Sequence, residues 1–327
     1  MLIDAATTKL AALFLRLTGL LLFAIPSMAD ATFSIVACDR AGNCGVAVAT
    51  NNLAVGASVP YAQAGVGAIV SQFETNPAYG PKGLALLSSG NSPEAAIHRL
   101  LDGDGDFDGS TVAERQVGIV DAHGRSANYS GSEALSSAWA GARKGDGYSV
   151  QGNGLANAEV ISTMERTFTS ARGDMAERLM ASLEAGQEAG GQTIGQMSAA
   201  LLVRTTAGNW QDVDLRVDSA AEPIKNLRQL LDQHYALQAM IRAEQQARKG
   251  SIGFARTAMA EALHRSHGWD RIWRRAARLA MNMGDKDNAL NYLGVFVSLN
   301  PAWGRIELQD PIYEPLHGNS LFESWKK

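Results

Sequence analysis

Residues 29–37 read Ala29-Asp30-Ala31-Thr32-Phe33-Ser34-Ile35-Val36-Ala37, and the rest of the chain can be organised around this stretch. From Thr32 onward the side chains alternate with a period of two, which predicts a β-strand. Ahead of the strand, Ala29 and Ala31 form the small-x-small pattern that a signal peptidase recognises. Cleavage after Ala31 would make Thr32 the first residue of the mature chain.

The segment before Thr32 has the features of a secretory signal peptide over residues 1–31. Lys9 and Arg16 supply positive charge, residues 17–25 are a short apolar run, and Pro26 follows it. This run would rise only about 14 Å as a helix, whereas a bilayer core is about 30 Å thick. We therefore expect removal of the segment, no membrane association of the mature protein, and a periplasmic or secreted location.

A second cleavage position is also compatible with the sequence. Ser27-Met28-Ala29 fits the same small-residue pattern, and cleavage there would leave Asp30 and Ala31 in front of Thr32.

Composition limits the class of protein. The 327 residues are 46% hydrophobic and 19% charged, with a formal net charge of −4. These values are ordinary for a globular protein, and no long Lys/Arg block is present. Nucleic acid is therefore not expected as a partner.

The two cysteines, Cys38 and Cys44, flank a turn-like segment between two strand-like runs. In a hairpin they would lie nearly opposite each other, within reach of a disulfide, and export would favour its formation. The alternative is two free thiols at strand ends.

Element order predicts an α+β fold over residues 32–232. Further strands are expected at residues 44–50, within 54–71, at 115–121 and at 126–129, then at 198–204 and 213–217. Helical patterns cover residues 79–101, 157–171 and 174–189. Hairpin-linked strand pairs separated by helix pairs favour two sheets sandwiched between helical layers. They do not favour a parallel sheet built from βαβ units.

Residues 233–327 are predicted to be helical and repetitive. A shift of 34 residues superposes Gly250 on Gly284 and Trp269 on Trp303. A 34-residue helix-turn-helix period is typical of tetratricopeptide repeats. Because two repeats cannot form a free-standing solenoid, this tail should pack on the main domain.

A free Thr32 would carry a base beside its own nucleophile. The α-amine of an N-terminal threonine can accept the proton of the hydroxyl, so no histidine is required. The alternative is a β-branched residue that merely begins a strand.

Residues 32–232 resemble DUF1028, an uncharacterised family of the N-terminal nucleophile (Ntn) hydrolase superfamily. The matching runs, in chain order, are TFSIVA (32–37), GVAVA (45–49), AVG (54–56), VP (59–60), AGVGA (64–68), YGPKGL (79–84), RQ (115–116), VD (120–121), WAG (139–141), QGN (151–153), SAALLV (198–203) and DLRVD (214–218).

This resemblance implies a four-layer αββα sandwich and amide hydrolysis without a cofactor, but it names no substrate. The chain departs from the family pattern at residues 192–197, which read Gln-Thr-Ile-Gly-Gln-Met where acidic and basic residues are typical. If this loop lines the site, either substrate choice differs or activity is weakened.

Several residues are candidates to assist Thr32. Asn153 is the expected oxyanion donor, supported by the backbone amides of Gly65 and Gly67. The sequence Gln151-Gly152-Asn153 is predicted to be a turn, and an asparagine there could instead cap its own backbone.

Charged residues are assigned to tuning and orientation. Arg115 and Lys82 are candidates to lower the pKa of the Thr32 amine, and the alternative for both is a solvated surface charge. Asp121 is a candidate to orient a neighbouring side chain, and the alternative is that it forms an Asx turn. Gln151 and Ser198 are assigned to substrate binding, together with Gly65, Gly67 and Lys82.

The sequence contains one weak metal motif. Asp104, Asp106 and Asp108 resemble the start of a calcium loop, but the closing Glu114 comes one residue too early. A solvated acidic loop is the alternative, and we expect neither a metal nor a cofactor.

The sequence thus predicts an exported Ntn-type amidohydrolase that acts on a small amide or peptide. The alternative is a catalytically silent scaffold that docks a peptide or protein through its helical tail. A homo-oligomer is compatible with either, and an enzyme acting on cell-wall peptides is suggested by location alone.

Overall fold

The computed structural model describes residues 31–208 and 212–326, so the predicted signal peptide, apart from Ala31, lies outside the described residues. Across these residues, ten strands form two antiparallel sheets. The strands are β1 (Thr32–Cys38), β2 (Cys44–Thr50), β3 (Pro60–Gln63), β4 (Gly67–Phe73), β5 (Arg115–Asp121), β6 (Ser126–Ser130), β7 (Gly141–Gly145), β8 (Tyr148–Asn153), β9 (Ser198–Arg204) and β10 (Val213–Val217).

The helices lie between and after the strands. They are α1 (Tyr79–Ser88), α2 (Pro93–Asp102), α3 (Ser132–Ser136), α4 (Glu159–Ser170), α5 (Met175–Glu188), α6 (Pro223–Arg248), α7 (Ile252–Arg265), α8 (Asp270–Asn282), α9 (Lys286–Leu299), α10 (Pro301–Glu307) and α11 (Ser320–Ser324). The helical stretch predicted over residues 79–101 is two helices, because Gly90 adopts a φ of 89° in the turn between them.

Strand β1 lies inside the larger sheet, whose order is β10-β9-β2-β1-β8-β7. Successive side chains of a strand point to opposite faces. Phe33 and Ile35 enter a core with α4, α5 and the first half of α6. Val36 enters a second core, between the two sheets. By the same alternation, Thr32 and Ser34 face the second sheet.

The smaller sheet has the order β3-β4-β5-β6. Its inner face contributes Val70 and Val120 to the core between the sheets. Its outer face packs Ile69 and Ile119 against α1 and α2 in a third core. Both sheets are therefore covered on both faces.

The helical region begins inside one long helix. Leu231 of α6 still belongs to the core below the larger sheet, whereas Ala236 of the same helix belongs to a core with α7 and α8. A further core unites α9 with the segments up to residue 325. The boundary predicted at 232/233 thus falls within a continuous helix, with no linker there.

Two sequence expectations can be compared directly with this structure. Cys38 and Cys44 face each other in the β1–β2 register and form a disulfide, as predicted. The mixed α/β fold with antiparallel sheets and a helical C-terminal region is also confirmed. In the described ranges no helix combines the length and apolar character that a membrane span requires.

Candidate functional site

Thr32 begins β1 between two neighbouring strands. It pairs with Thr50 of β2 on one side and with Asn153 of β8 on the other. Its side chain is buried, with only 4% of the residue exposed while Ala31 is attached. The Thr32 backbone nitrogen donates to Asn153 Oδ1 at 3.0 Å.

The hydroxyl of Thr32 contacts the hydroxyl of Thr50 at 3.0 Å. Thr50 Oγ1 donates to the carbonyl oxygen of Ala31 at 2.8 Å. Because a hydroxyl has a single proton to donate, Thr32 must be the donor in the bond between the two threonines. The Asn51 backbone nitrogen also donates to the Ala31 carbonyl, at 3.4 Å. Two donors therefore hold the carbonyl that precedes Thr32.

Asn153 lies beside Thr32, but its side-chain amide does not have the orientation that the predicted oxyanion donor requires. Its oxygen accepts from the Thr32 nitrogen, while its Nδ2 donates to Gln116 Oε1 at 2.9 Å. An oxyanion donor would present the NH₂ group to the reacting carbonyl. In this arrangement Asn153 orients the Thr32 nitrogen, and Thr50 and Asn51 are the groups that donate to a carbonyl.

Two glutamines of the smaller sheet extend this arrangement. Gln72 Nε2 donates to Gln116 Oε1 at 2.7 Å and approaches the Thr32 carbonyl oxygen at 3.5 Å. Gln116 Nε2 donates to Ser130 Oγ at 2.9 Å and to the Gly152 carbonyl at 3.1 Å. The glutamines thereby connect the two sheets immediately behind Thr32.

Ser34 and Gln151 complete the network. Gln151 Nε2 donates to Ser34 Oγ at 2.7 Å, and Ser34 in turn donates to Gln72 Oε1. Gln151 and Ser34 are both fully buried. Buried polar groups that satisfy one another hold a single geometry, because any rearrangement would leave a group without a partner. Gln151 therefore supports the site from within and does not line an open surface.

The network is electrically neutral. The side chains that connect Thr32 to the two sheets are hydroxyls and carboxamides, none of which titrates near neutral pH. They are Thr32, Ser34, Thr50, Gln72, Gln116, Ser130, Gln151 and Asn153. An α-amine freed at Thr32 would be the titrating group of this network.

Ser198 stands one strand further away. It pairs with Thr50, and its Oγ donates to the Asn52 carbonyl at 2.6 Å while accepting from the Val55 nitrogen at 3.0 Å. Ser198 therefore fixes the loop that follows Thr50 and makes no contact with Thr32.

The loop of residues 192–197, whose sequence differs from the family pattern, lies near the site. Met197 N donates to the Thr50 carbonyl at 2.8 Å, and Thr193 N donates to the Gly154 carbonyl at 3.1 Å. Gln192 in this loop is 4% exposed, and neither amide atom has a hydrogen-bond partner within the described residues.

Arg115 does not reach Thr32. Alternation along β5 turns its side chain away from Gln116, and its guanidinium forms two 3.1 Å contacts with the carboxylate of Asp104. Tyr79 and Asn76 also donate to Asp104. Burial alone would raise the pKa of the Asp104 carboxyl, but these hydrogen bonds and the Arg115 charge lower it to about 2.

This ion pair also argues against the calcium loop. Both oxygens of Asp104 are engaged by a guanidinium, and Asp106 and Asp108 belong to an exposed turn. Over residues 31–208 and 212–326, no three acidic, histidine or cysteine side chains are grouped to hold a metal. The aspartates instead shape the connection between α2 and β5.

Three other predicted residues lie at the far end of the strands. Asp121 pairs with Gly67, and the Gly65 nitrogen donates to the Gly42 carbonyl in the turn after Cys38. Asp121 accepts from Arg125 and caps its own turn. Since β1 spans roughly 20 Å, these residues are too far from Thr32 to act on it.

Lys82 is exposed on α1, the helix that covers the outer face of the smaller sheet. The smaller sheet lies between α1 and the Thr32 network, so Lys82 does not tune the Thr32 amine.

Thr50, Ser34, Gln72 and Gln116 were missed by the sequence reasoning. A signal was present, since Gln72 and Gln116 are uncharged polar residues close to the apolar runs 68–70 and 117–120 of their strands. Such positions mark buried polar groups that need partners. Their convergence on Thr32 depends on how the two sheets face each other, which a single strand does not reveal.

The fold and the network define a class of protein: an α+β protein with two facing antiparallel sheets and a neutral polar site buried between them. The chain belongs to DUF1028, a family of unknown function, whose model matches residues 32–227.

A solved structure is also similar. The crystal structure of protein SPO2555 from Silicibacter pomeroyi, assigned to the same family, is 31% identical in sequence with a TM-score of 0.55. The match covers 62% of this chain and 84% of that one. No curated protein matches the chain.

Proposed function

We propose that the protein is an exported Ntn-type hydrolase that cleaves an amide bond, with Thr32 as its N-terminal nucleophile. The observation that carries this proposal is the position of Thr32: its nitrogen and its hydroxyl are both held by buried neutral side chains at the start of an interior strand. The family match begins at this same residue, as expected if the preceding segment is removable.

The fold supports the assignment to this superfamily. Helices α4 and α5 cover the outer face of the larger sheet, the two sheets share a core, and α1 and α2 cover the smaller sheet. This order corresponds to an αββα sandwich. The helical tail, which follows the 34-residue period, we interpret as a tetratricopeptide-like extension.

The chemistry requires only the terminal threonine, a carbonyl-binding pair and water. The amine takes the hydroxyl proton as Thr32 Oγ1 bonds to the amide carbon. The ammonium then gives its proton to the departing nitrogen as the carbon–nitrogen bond breaks. Water, deprotonated by the amine, then attacks the ester carbon. The bond between that carbon and Thr32 Oγ1 breaks, and the ammonium returns its proton to Oγ1, which releases the acid with a free Thr32.

Thr50 and Asn51 are suited to stabilise the developing negative charge. In the unprocessed chain they donate to the Ala31 carbonyl. Once Ala31 has left, both donors face the space where a substrate carbonyl would lie. This assigns to Thr50 and Asn51 the role that the sequence had suggested for Asn153.

The deciding experiment compares chains that differ only at the start. A chain beginning at Thr32 should hydrolyse amides, whereas chains beginning at Asp30 or Ala31 should not, because their Thr32 nitrogen is an amide.

Thr32→Val keeps the volume but removes the nucleophile and should lower kcat/KM at least about 10³-fold. Thr50→Val should lower kcat/KM about 10²-fold, with Thr169→Val on the exposed face of α4 as control.

Equal amidase activity in the Thr32→Val and unaltered chains would reject the mechanism. So would full activity in a chain that retains Ala31.

The scaffold alternative has one favouring observation. Arg248, Arg274, Arg275 and Arg278 line a cavity of about 490 Å³ between α6 and α8. Three of these arginines are already paired, Arg275 with Glu244 and the other two with Glu307. Because most of the positive charge is neutralised, the hydrolase is favoured. An inactive chain with a free Thr32 that binds an anionic peptide would favour the scaffold.

A further inference from the structure

Most of the exposed large apolar side chains of the two-sheet domain lie on three segments. Six such side chains are exposed in the described part of residues 31–222, and five of them lie on three segments, 51–58, 131–140 and 190–197. The five are Leu53, Leu135, Trp139, Ile194 and Met197. A concentration of this kind marks an interaction surface, since isolated apolar side chains would be scattered.

Two of these segments are bonded to the residues around Thr32. The Asn51 nitrogen donates to the Ala31 carbonyl, and Asn51 Nδ2 donates to the Ile194 carbonyl at 3.2 Å. Met197 N donates to the Thr50 carbonyl. Segment 51–58 therefore borders the start of β1 on the β2 side, and segment 190–197 extends from there to Gly154 on the β8 side, where Thr193 N donates to the Gly154 carbonyl.

The third segment borders the start of β1 on the other side. Gly154, directly after Asn153, donates to Ser137 Oγ at 3.2 Å, and Leu155 donates to the Ala138 carbonyl at 2.8 Å. A Cβ at Gly154 would lie 2.4 Å from the Cβ of Ala31, so Ala31 fits closely against this glycine. Segment 131–140 thus reaches the place where the chain enters Thr32.

Trp139 in this segment has an unusual backbone. Its φ is 49°, in the left-handed region that a bulky residue rarely occupies. Its side chain is nevertheless 59% exposed, so burial does not account for the strained conformation. Strain of this kind is concentrated at ligand-binding positions.

The three segments that border the start of β1 contain almost no charged residues. Glu133 is the one charged residue in the sequences of the three segments, although 19% of the whole chain is charged. The network beneath them is neutral as well. Charged side chains of other elements do approach the segments, since Arg216 packs against Gly56 and Lys225 lines a cavity together with Gln196. The groups bonded directly to Thr32 and Ala31 are neutral, so an apolar group finds the better match beside Thr32.

We infer that Leu53, Trp139, Ile194 and Met197 form an apolar rim that binds the acyl group of an uncharged, apolar amide. In the unprocessed chain, Ala31 is the acyl side of the peptide bond to Thr32, so the acyl side of a substrate enters along the same path. This inference rests on the proposed function and specifies its substrate: an amide of an aliphatic or aromatic carboxylic acid.

The test uses the chain beginning at Thr32 and three 4-nitroanilides that share one leaving group. Hexanoyl, acetyl and succinyl amides offer an apolar, a small and a negatively charged acyl group. We expect kcat/KM to be highest for hexanoyl and lowest for succinyl. The double variant Trp139→Ser/Ile194→Ser should lower the hexanoyl value at least about tenfold and change the acetyl value much less.

A control and a binding measurement separate the two proposals. Phe254→Ser removes an aromatic side chain that is 75% exposed on α7 and should change nothing. Calorimetry with hexananilide and the Thr32→Ala chain measures binding without turnover. Binding that the rim variants weaken, with no turnover by any chain, would reject the hydrolase and retain the apolar site.

Three outcomes would overturn the inference. The first is equal or better use of the succinyl amide, and the second is a hexanoyl kcat/KM that the rim substitutions leave unchanged. The third is absence of both turnover and binding for the apolar amides.

Discussion

Thr32 is surrounded by groups that fix hydrogen bonds without adding charge. Thr50 directs the hydroxyl, Asn153 directs the nitrogen, and Gln72 and Gln116 hold Asn153 in place through a shared oxygen. Burial in such a neutral setting disfavours an ammonium ion more than an amine. A larger fraction of a terminal amine placed there is therefore neutral near pH 7, and so available to accept the hydroxyl proton, than of an amine in water.

The most deeply buried ion pair of the described residues lies elsewhere, between Asp104 and Arg115. Both side chains are almost fully buried. The pKa of the carboxyl is lowered from 3.8 to about 2 in the folded chain. A depressed carboxyl pKa adds stability above the unfolded value, and this stability is lost as pH falls through the folded value.

We predict that the free energy of unfolding falls by about 2 kcal/mol on acidification from pH 5 to pH 2 through Asp104 alone. Asp104→Asn should remove this component and destabilise the protein at pH 7 by about 3–5 kcal/mol, because Arg115 is left buried without a counter-ion. Urea unfolding at several pH values measures both effects.

Asp106→Asn is the matched control for this prediction. Asp106 is exposed in the same loop with a φ of 49°, which asparagine tolerates. The same pH dependence in Asp104→Asn and in the unaltered protein would contradict the prediction.

At the scale of elements, the β1–β2 hairpin determines where the site lies. Its register pairs Thr32 with Thr50 at one end and Cys38 with Cys44 at the other. Period-two alternation predicted both strands, and the turn between the cysteines together with the expected export favoured a disulfide over two free thiols. It could not show that Gln72 and Gln116 of the facing sheet would meet Thr32, because that contact depends on how the sheets pack.

The disulfide should stabilise the hairpin without affecting the site. It closes a short loop, with a sequence separation of 6, so chain entropy predicts a loss of about 2 kcal/mol for the double variant Cys38→Ala/Cys44→Ala. Thr32 lies about 20 Å away along β1, so amidase activity should be unchanged. Urea unfolding with and without a reductant measures the stability; reduction should leave the double variant unaffected.

At the scale of the whole molecule, α6 joins two cores. Ile224, Leu227 and Leu231 belong to the core below the larger sheet, and the helix continues into the next core from Ala236. Arg228 also binds Glu177 and Glu184 of α5. A continuous helix of this kind transmits unfolding from one core to the other.

We therefore predict a single cooperative unfolding transition. Four of the six tryptophans lie in residues 269–325, so their fluorescence reports the helical region, and pulsed hydrogen exchange of β1 and β2 reports the sheets. The two urea midpoints should coincide. Gln233→Pro, which breaks α6 between the cores at a cost of about 3 kcal/mol or more, should separate them, whereas Gln233→Ala should not. Separate midpoints in the unaltered chain would contradict the prediction.

The sequence alone determined the properties that depend on local pattern: the strand that begins at Thr32, the disulfide hairpin, the mixed fold and its helical tail. These follow from side-chain period and chain proximity, which are written in consecutive residues. Tertiary structure alone decided the surroundings of Thr32. It replaced Arg115, Lys82, Asp121 and the Gly65–Gly67 stretch with Thr50, which the hairpin register places opposite Thr32, and with Gln72 and Gln116 of the facing sheet. Residues of another sheet, far from Thr32 in the chain, become its neighbours only when the two sheets pack face to face.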